Sequence, residues 1–269
     1  MTYQLAVIGT GQMGSALIRG ILSQKALKAE EVILADPYQP SLDAVQADYP
    51  EVSAITDNIE AVKSARVILL AVKPQGAAAV LEEIQPHLSP DQLILTIITG
   101  RTFEYYQKYL GQQPLVRAMP NTPVKVNEGL IAWCPNDYVS PEQAAEADRL
   151  FSACGQSSRV AESQLQAISA VTGASPAYTY MYIEAMADAG VAAGLSRRQA
   201  QDFAAQAVLG AARMVLVNQV SPAQLKDQVC SPGGTTIAGV EALERGAFRG
   251  TVMSAIRACI ERDKQLSAQ

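Results

Sequence analysis

An apolar run, Gln4–Ile8, ends directly on Gly9-x-Gly11-x-x-Gly14. An amphipathic stretch follows, with Met13, Ala16, Leu17, Ile21 and Leu22 on one face. A second apolar run, Val32–Ala35, closes on an acid, Asp36. Few folds accommodate a strand that enters a tight glycine turn and leaves it as a helix. The order of strand, GxGxxG, helix, strand and acid is the dinucleotide-binding fingerprint. Gly9 permits the tight turn, Gly11 lets the backbone approach a pyrophosphate, and Gly14 allows helix and strand to pack closely. The helix start, with Gln12 and Met13, turns its free N–H groups toward negative charge.

Further apolar runs at Val67–Val72, Leu93–Ile98, Pro114–Ala118 and Gly129–Trp133 alternate with helical patterns. A helix from Pro141 to Phe151 and a strand in QSSRVA complete the series. Continuous apolar strands separated by helices predict a parallel sheet covered on both faces. The expected architecture is α/β, a doubly wound Rossmann-type dinucleotide-binding domain over residues 1–162.

From Ser163 the strand signals stop, which predicts an all-α domain over residues 163–269. Ser175-Pro176 reads as an N-cap followed by the first helical position, and Ser196 caps the next helix. Pro222 opens a third helix, and Thr235–Arg245 and Phe248–Gln265 follow. These helices are rich in Ala and Gly and apolar most of the way round. Such helices need cover on more than one side, so a second subunit is expected there.

Composition narrows the partners. With 49% hydrophobic and 17% charged residues among 269, the chain is globular, and it carries a formal charge of −5. Without a Lys/Arg cluster, neither nucleic acid nor an anionic membrane is an expected partner. Cys134, Cys154, Cys230 and Cys259 form no CxxC pair, so neither a structural zinc site nor a disulfide framework is expected, and a reduced, cytoplasmic setting fits. The single histidine, His87, sits in a loop-like stretch and cannot build a triad or a His-rich metal site. A carboxylate at Asp36 suits a free ribose diol, and PYQPSLD after it holds no Arg or Lys for a 2′-phosphate. NADH is therefore expected over NADPH.

Near the C-terminus, Cys230–Phe248 reads CSPGGTTIAGVEALERGAF, with paired glycines and threonines at a helix start. Taken with VIGTGQMGSALIRG, AVKP (Ala71–Pro74), RAMPNTP (Arg117–Pro123), VNEG (Val126–Gly129), VTGASPAY (Val171–Tyr178) and IEAMADAGVAAGL (Ile183–Leu195), it resembles the Δ1-pyrroline-5-carboxylate reductase family over essentially the whole chain. The resemblance implies a Rossmann domain followed by a helical domain that interleaves with its twin in a dimer, with dimers often assembled into rings. It also implies hydride transfer from NAD(P)H to a cyclic imine, giving L-proline. Asn58, Val72, Lys73 and Pro74 would line the dinucleotide, and Met119, Pro120 and Asn121 would lie near the nicotinamide. Ser231, Gly233, Gly234 and Thr235 would receive the substrate carboxylate, with Thr236 toward the ring nitrogen. Three segments depart from the family's commoner pattern: Asp36-Pro37, GASPAY and IITG (Ile97–Gly100).

The other polar candidates have structural readings. Lys73 ends a strand, and Glu184 and Asp188 are four apart on one helix face. Tyr178, Tyr180 and Tyr182 fall on different helix faces, and Arg197-Arg198 reads as a solvated first turn. The competing functions are a reductase of another small cyclic imine, a β-hydroxyacid reductase, and a non-catalytic nucleotide-sensing paralogue. YIEAMADAG offers no lysine to the second, and an intact SPGGTT argues against the third.

Overall fold

The structure, a computed structural model, describes residues 2–267. β1 (Tyr3–Ile8) lies between β2 (Val32–Ala35) and β4 (Ala65–Leu70) in a sheet of order β3-β2-β1-β4-β5-β6-β7-β8. The remaining strands are β3 (Ser53–Ile55), β5 (Leu93–Thr96), β6 (Leu115–Met119), β7 (Gly129–Pro135) and β8 (Gly155–Arg159). Successive strand residues point to opposite faces. Leu5, Val7, Leu34, Leu69 and Leu95 therefore meet α1 (Gln12–Ser23) and α6 (Pro141–Ser152) on one side. Ala6, Ile8, Ile33, Ile68 and Leu70 meet α3 (Asn58–Ser64), α4 (Ala77–Ile84) and α5 (Phe103–Leu110) on the other. Burial on both faces is why these strands read as unbroken apolar runs.

The sheet is not wholly parallel, which corrects the sequence reading at one place. β7 runs antiparallel to β6, pairing Arg117 with Cys134 and Met119 with Ala132. The segment joining them is short and holds only a 3-10 turn, Thr122–Val126, too little chain for the crossover that a parallel neighbour requires. The structure also adds β3, α3 and α5 to the elements expected. β3 is three residues of edge strand, α3 is capped by Asp57 accepting from Ile59 and Glu60, and α5 by Thr102 accepting from Tyr105. α2 (Gln39–Gln46) completes the layer beside α1.

Two compact units result. One comprises residues up to Gly173 together with the chain from Ile260, and the other is Ala174–Cys259. The change at Gly173 lies beyond residue 162 because α7 (Leu165–Ile168) packs with the sheet unit, Leu165 being buried with Ala132 and Cys134. The helical unit holds α8 (Ser175–Ala192), α9 (Arg197–Asn218), α10 (Pro222–Val229), α11 (Thr235–Arg245) and the start of α12 (Phe248–Ser267). Ser175 is the first residue of α8, not its N-cap; Ala174 holds that place because the chain enters from a π-turn at Ser169–Gly173. Ser196 caps α9 as expected, its hydroxyl accepting from Gln199.

Small residues let α8 and α9 approach: Ala187, Ala200 and Ala204 are buried, and a β-carbon on Gly190 would sit 3.2 Å from that of Ala200. Large apolar side chains of the same unit stay exposed, Met181 by 68% and Leu216 by 70%. This is the all-round apolarity the sequence showed, and exposed apolar side chains of this kind are what a partner covers. Among the described residues no helix is long and apolar enough to cross a membrane.

All four cysteines are free, with Cys134 and Cys154 buried. Burial disfavours the thiolate and pushes Cys134 up to about 11 and Cys154 to about 12. A thiol reagent at mildly alkaline pH is expected to titrate no more than two thiols in the folded protein and all four after denaturation. Because folding holds these thiols protonated, their contribution to stability is intact below the unfolded-state pKa. It is lost as pH rises through the folded-state values. Urea midpoints on the alkaline side would record that loss.

Candidate active site

The three glycines of GTGQMG serve different purposes. Gly9 has φ +96, and a β-carbon there would lie 2.9 Å from the Ala71 carbonyl oxygen. Gly14 is packed more tightly, since a β-carbon would meet the Gly9 carbonyl oxygen at 2.2 Å. Those two are glycines because β1, the end of β4 and the first turn of α1 crowd together. Gly11 has an ordinary φ of −65, and a β-carbon there would meet nothing within 4 Å. The protein's own packing gives no reason for glycine at that position. The open space lies over the start of α1, where no side chain caps the free N–H groups and no acid occupies the first turn. A pyrophosphate fits that cradle by shape and by charge.

Asp36 directly follows β2 beside this cradle, but it is not free. Its Oδ2 accepts from the Thr10 backbone N–H (2.7 Å) and hydroxyl (3.1 Å), and its Oδ1 accepts from the Tyr38 N–H (2.9 Å). Three of roughly four acceptor positions on the carboxylate are thus satisfied internally. Thr10, 3% exposed, is a site-lining residue that the sequence pattern did not single out. It occupies the variable place in the motif, and nothing local links it to an acid 26 residues on. Lys125 was missed for the same reason: its Nζ donates to the Gln12 side-chain oxygen at 2.7 Å from far along the chain. Met13 is partly buried at the second position of α1.

The remaining cofactor candidates surround the carboxyl ends of the central strands. Val72, Lys73 and Pro74 follow β4, with Lys73 exposed and Pro74 opening a 3-10 turn. A β-carbon on Gly9 would touch the Val72 side chain at 3.1 Å, so this segment walls the glycine turn. Asn58 starts α3; its Nδ2 donates to Glu83 at 2.8 Å, while its Oδ1 is buried without a partner. Met119, Pro120 and Asn121 leave β6, Met119 and Asn121 partly buried and Pro120 fully so. The Asn121 amide faces the protein: Oδ1 accepts from the Leu130 N–H at 2.9 Å and Nδ2 donates to the Thr172 carbonyl at 3.2 Å. Asn121 therefore shapes the loop and has little left to offer a ligand. One strand-step behind, Arg117 is ion-paired with Glu162, which also accepts from the Phe103 N–H. Tyr106, hydrogen-bonded to Thr96, is pushed by burial up to about 12, which removes it as a proton donor near neutrality.

Within the helical unit, SPGGTT makes a turn and then a helix start. The Gly234 N–H donates to the Ser231 carbonyl at 3.0 Å, and Gly233 adopts φ +67, which only glycine takes without strain. A β-carbon on Gly234 would lie 2.2 Å from the Ser231 hydroxyl. Gly234 is the N-cap of α11 and supplies no side chain, so Thr235 and Thr236 enter the helix with their N–H groups uncapped. Both threonines and Ser231 are exposed. The turn thus presents donors and hydroxyls with no cation among them, a receptor for an anionic group. Asp188 belongs elsewhere in this unit, ion-paired with Arg197 at 2.5 Å between α8 and α9.

The glycine contrast is testable. Gly14→Ala is expected to lower unfolding free energy by about 1–3 kcal/mol through overpacking against backbone. Gly11→Ala is expected to leave thermal stability nearly unchanged and to weaken dinucleotide binding at least about tenfold. Calorimetric titration and melting of both variants check the pair.

Comparison with known proteins accords with this geometry. Residues 162–266 match the family described as pyrroline-5-carboxylate reductase dimerisation, and residues 4–100 match that of NADP oxidoreductase, coenzyme F420-dependent. The chain is 41% identical to the pyrroline-5-carboxylate reductase of Synechocystis sp. and 40% identical to that of Escherichia coli, covering 99% of each chain in both cases. The crystal structure of Plasmodium falciparum pyrroline carboxylate reductase with NADP bound aligns with a TM-score of 0.89 at 33% identity, over 98% of both chains. The Coxiella burnetii pyrroline-5-carboxylate reductase structure aligns at 0.91, also 33% identical, over 99% of both. By its two matched regions and by full-length identity, the chain belongs to the pyrroline-5-carboxylate reductase family.

Proposed function

We propose that the protein reduces the C=N bond of Δ1-pyrroline-5-carboxylate to give L-proline, with a reduced nicotinamide dinucleotide as cofactor. The observation that carries this reading is the exposed, uncapped start of α11 at Gly233–Thr236. A chain that only sensed a nucleotide would have no use for a second anion receptor outside the nucleotide cradle.

The chemistry asks little of the side chains. An imine nitrogen is protonated before reduction, so solvent, or substrate that arrives already protonated, supplies the proton. The uncapped N–H groups of Thr235 and Thr236 and the Ser231 hydroxyl receive the substrate carboxylate and fix the ring, in a turn that Gly233 and the Gly234 N–H, bonded to the Ser231 carbonyl, hold in shape. Thr236 donates to, or accepts from, the ring nitrogen. Its hydroxyl is too weak an acid to be the main proton source, so its part is orientation. The nicotinamide, when bound, supplies the hydride. Gly9, Gly11 and Gly14 with Gln12 and Met13 carry the pyrophosphate, while Val72, Lys73, Pro74 and Asn58 border the dinucleotide and Met119 and Pro120 its nicotinamide end. Asp36 takes the adenosine ribose and favours NADH. The exposed apolar helices support a dimer, which a ring of dimers would extend, and four unpaired thiols suit a cytoplasmic setting.

Purified protein given pyrroline-5-carboxylate and either NADH or NADPH is expected to oxidise the cofactor and form proline. Absence of turnover with both would refute the reading. Thr236→Ala is expected to lower kcat by about tenfold or more with dinucleotide affinity unchanged. Asp36→Ser is expected to reduce the NADH to NADPH preference in kcat/KM. An unchanged kcat in the first, or an unchanged ratio in the second, would remove that residue's role.

A further inference from the structure

We infer that Lys125 is a specificity-determining residue for the phosphate that distinguishes NADPH from NADH, and that it admits NADPH to a site whose acid would otherwise exclude it. The inference rests on the dinucleotide reading above and concerns its adenosine end.

A cavity of about 420 Å³ opens between α1 and α2, lined by Thr10, Ser15, Arg19, Tyr38, Ser41 and Lys125 among others. Thr10 and Tyr38 are the residues that hold the Asp36 carboxylate, so the cavity adjoins the group that marks the ribose. A phosphate on the ribose 2′-oxygen would project into it. The lining contains two cations and no acid. Arg19 is largely committed, its Nε to Asp48 at 2.8 Å and an amino group to the Ala44 carbonyl at 2.6 Å. Lys125 is exposed, and it donates to the neutral Gln12 amide oxygen at 2.7 Å. Among the described residues, no carboxylate lies within ion-pair distance of it. A neutral acceptor on a solvated side chain is readily exchanged for a phosphate oxygen.

The acid opposite is weakened as an excluder. With three acceptor positions given to Thr10 and Tyr38, Asp36 has about one left for the ribose diol. Its discrimination against a 2′-phosphate is then charge repulsion alone, which an ammonium lining the same cavity offsets. The segment after β2 lacks a cation, and the 3-10 turn Thr122–Val126 supplies one from the other side of α1. NADH and NADPH are both accepted, and Lys125 sets their ratio.

Calorimetric titration of the full-length protein with NADH, NADPH, adenosine 5′-monophosphate and adenosine 2′,5′-bisphosphate tests this. Lys125→Gln is expected to weaken NADPH and the bisphosphate by roughly tenfold, the scale of one charge-assisted hydrogen bond, with NADH and the monophosphate within about twofold. Lys125→Arg is expected to restore most of the loss. Equal weakening of NADH and NADPH would put the ammonium on the pyrophosphate and overturn the inference, as would no change in any ligand. If the unaltered protein bound neither dinucleotide, the dinucleotide reading itself would fall, a result distinct from both.

Discussion

A β-carbon on Gly14 would lie 2.2 Å from the carbonyl oxygen of Gly9, and that contact governs the rest of the sheet unit. It draws the first turn of α1 against the ends of β1 and β4 and aims free N–H groups at the open space beside Gly11. The side-chain packing behind it, Leu17 and Ile21 against Leu5, Val7 and Leu69, holds the helix at that angle. Asp36 is brought to the same edge by the β1–β2 register, Ile8 opposite Ala35, and is then tied back to the glycine turn through Thr10. The cradle and the ribose end thus form one hydrogen-bonded piece.

Both helix starts proposed to receive anions rely on backbone. In the sheet unit that is the start of α1, and in the helical unit the start of α11, each capped by glycine and not by a side chain. Glycine at an N-cap forgoes the stabilisation that Ser196 gives α9, and leaves the donors for a ligand. The reaction fits such sites, because reducing an iminium calls for orientation of an anion more than for a strong acid. The titratable groups with the largest shifts, Cys134, Cys154 and Tyr106, are shifted by burial in the core and stand apart from that chemistry.

What was legible in the sequence was whatever a local pattern encodes. The GxGxxG unit, the buried central strands and the long helices follow from periodicity and turn chemistry, and the helix bounds Thr235–Arg245 agree to the residue. The antiparallel β7 was not legible, since its apolar run looks like that of a parallel strand and only the short connection before it betrays the direction. β3, α3 and α5 are too short, or too dependent on caps such as Asp57 and Thr102, to register as periodic. At the site, the glycines could be named, but not that Gly11, unlike Gly9 and Gly14, is free of packing constraint. The Thr10–Asp36 bonds, the approach of Lys125 to Gln12 and the bond from the Asn121 amide to the Thr172 carbonyl join positions far apart in the chain.

Hydride delivery to a carboxylated cyclic imine is the reaction on which the roles of both units rest. Deuterium placed at the transferable position of NADH, with proline isolated and analysed by mass spectrometry and NMR, tests it most directly. The expected product carries one deuterium per proline, on the ring carbon across nitrogen from the carboxylate-bearing carbon and on a single face. Proline formed without the label, or with the label on another carbon, would contradict it.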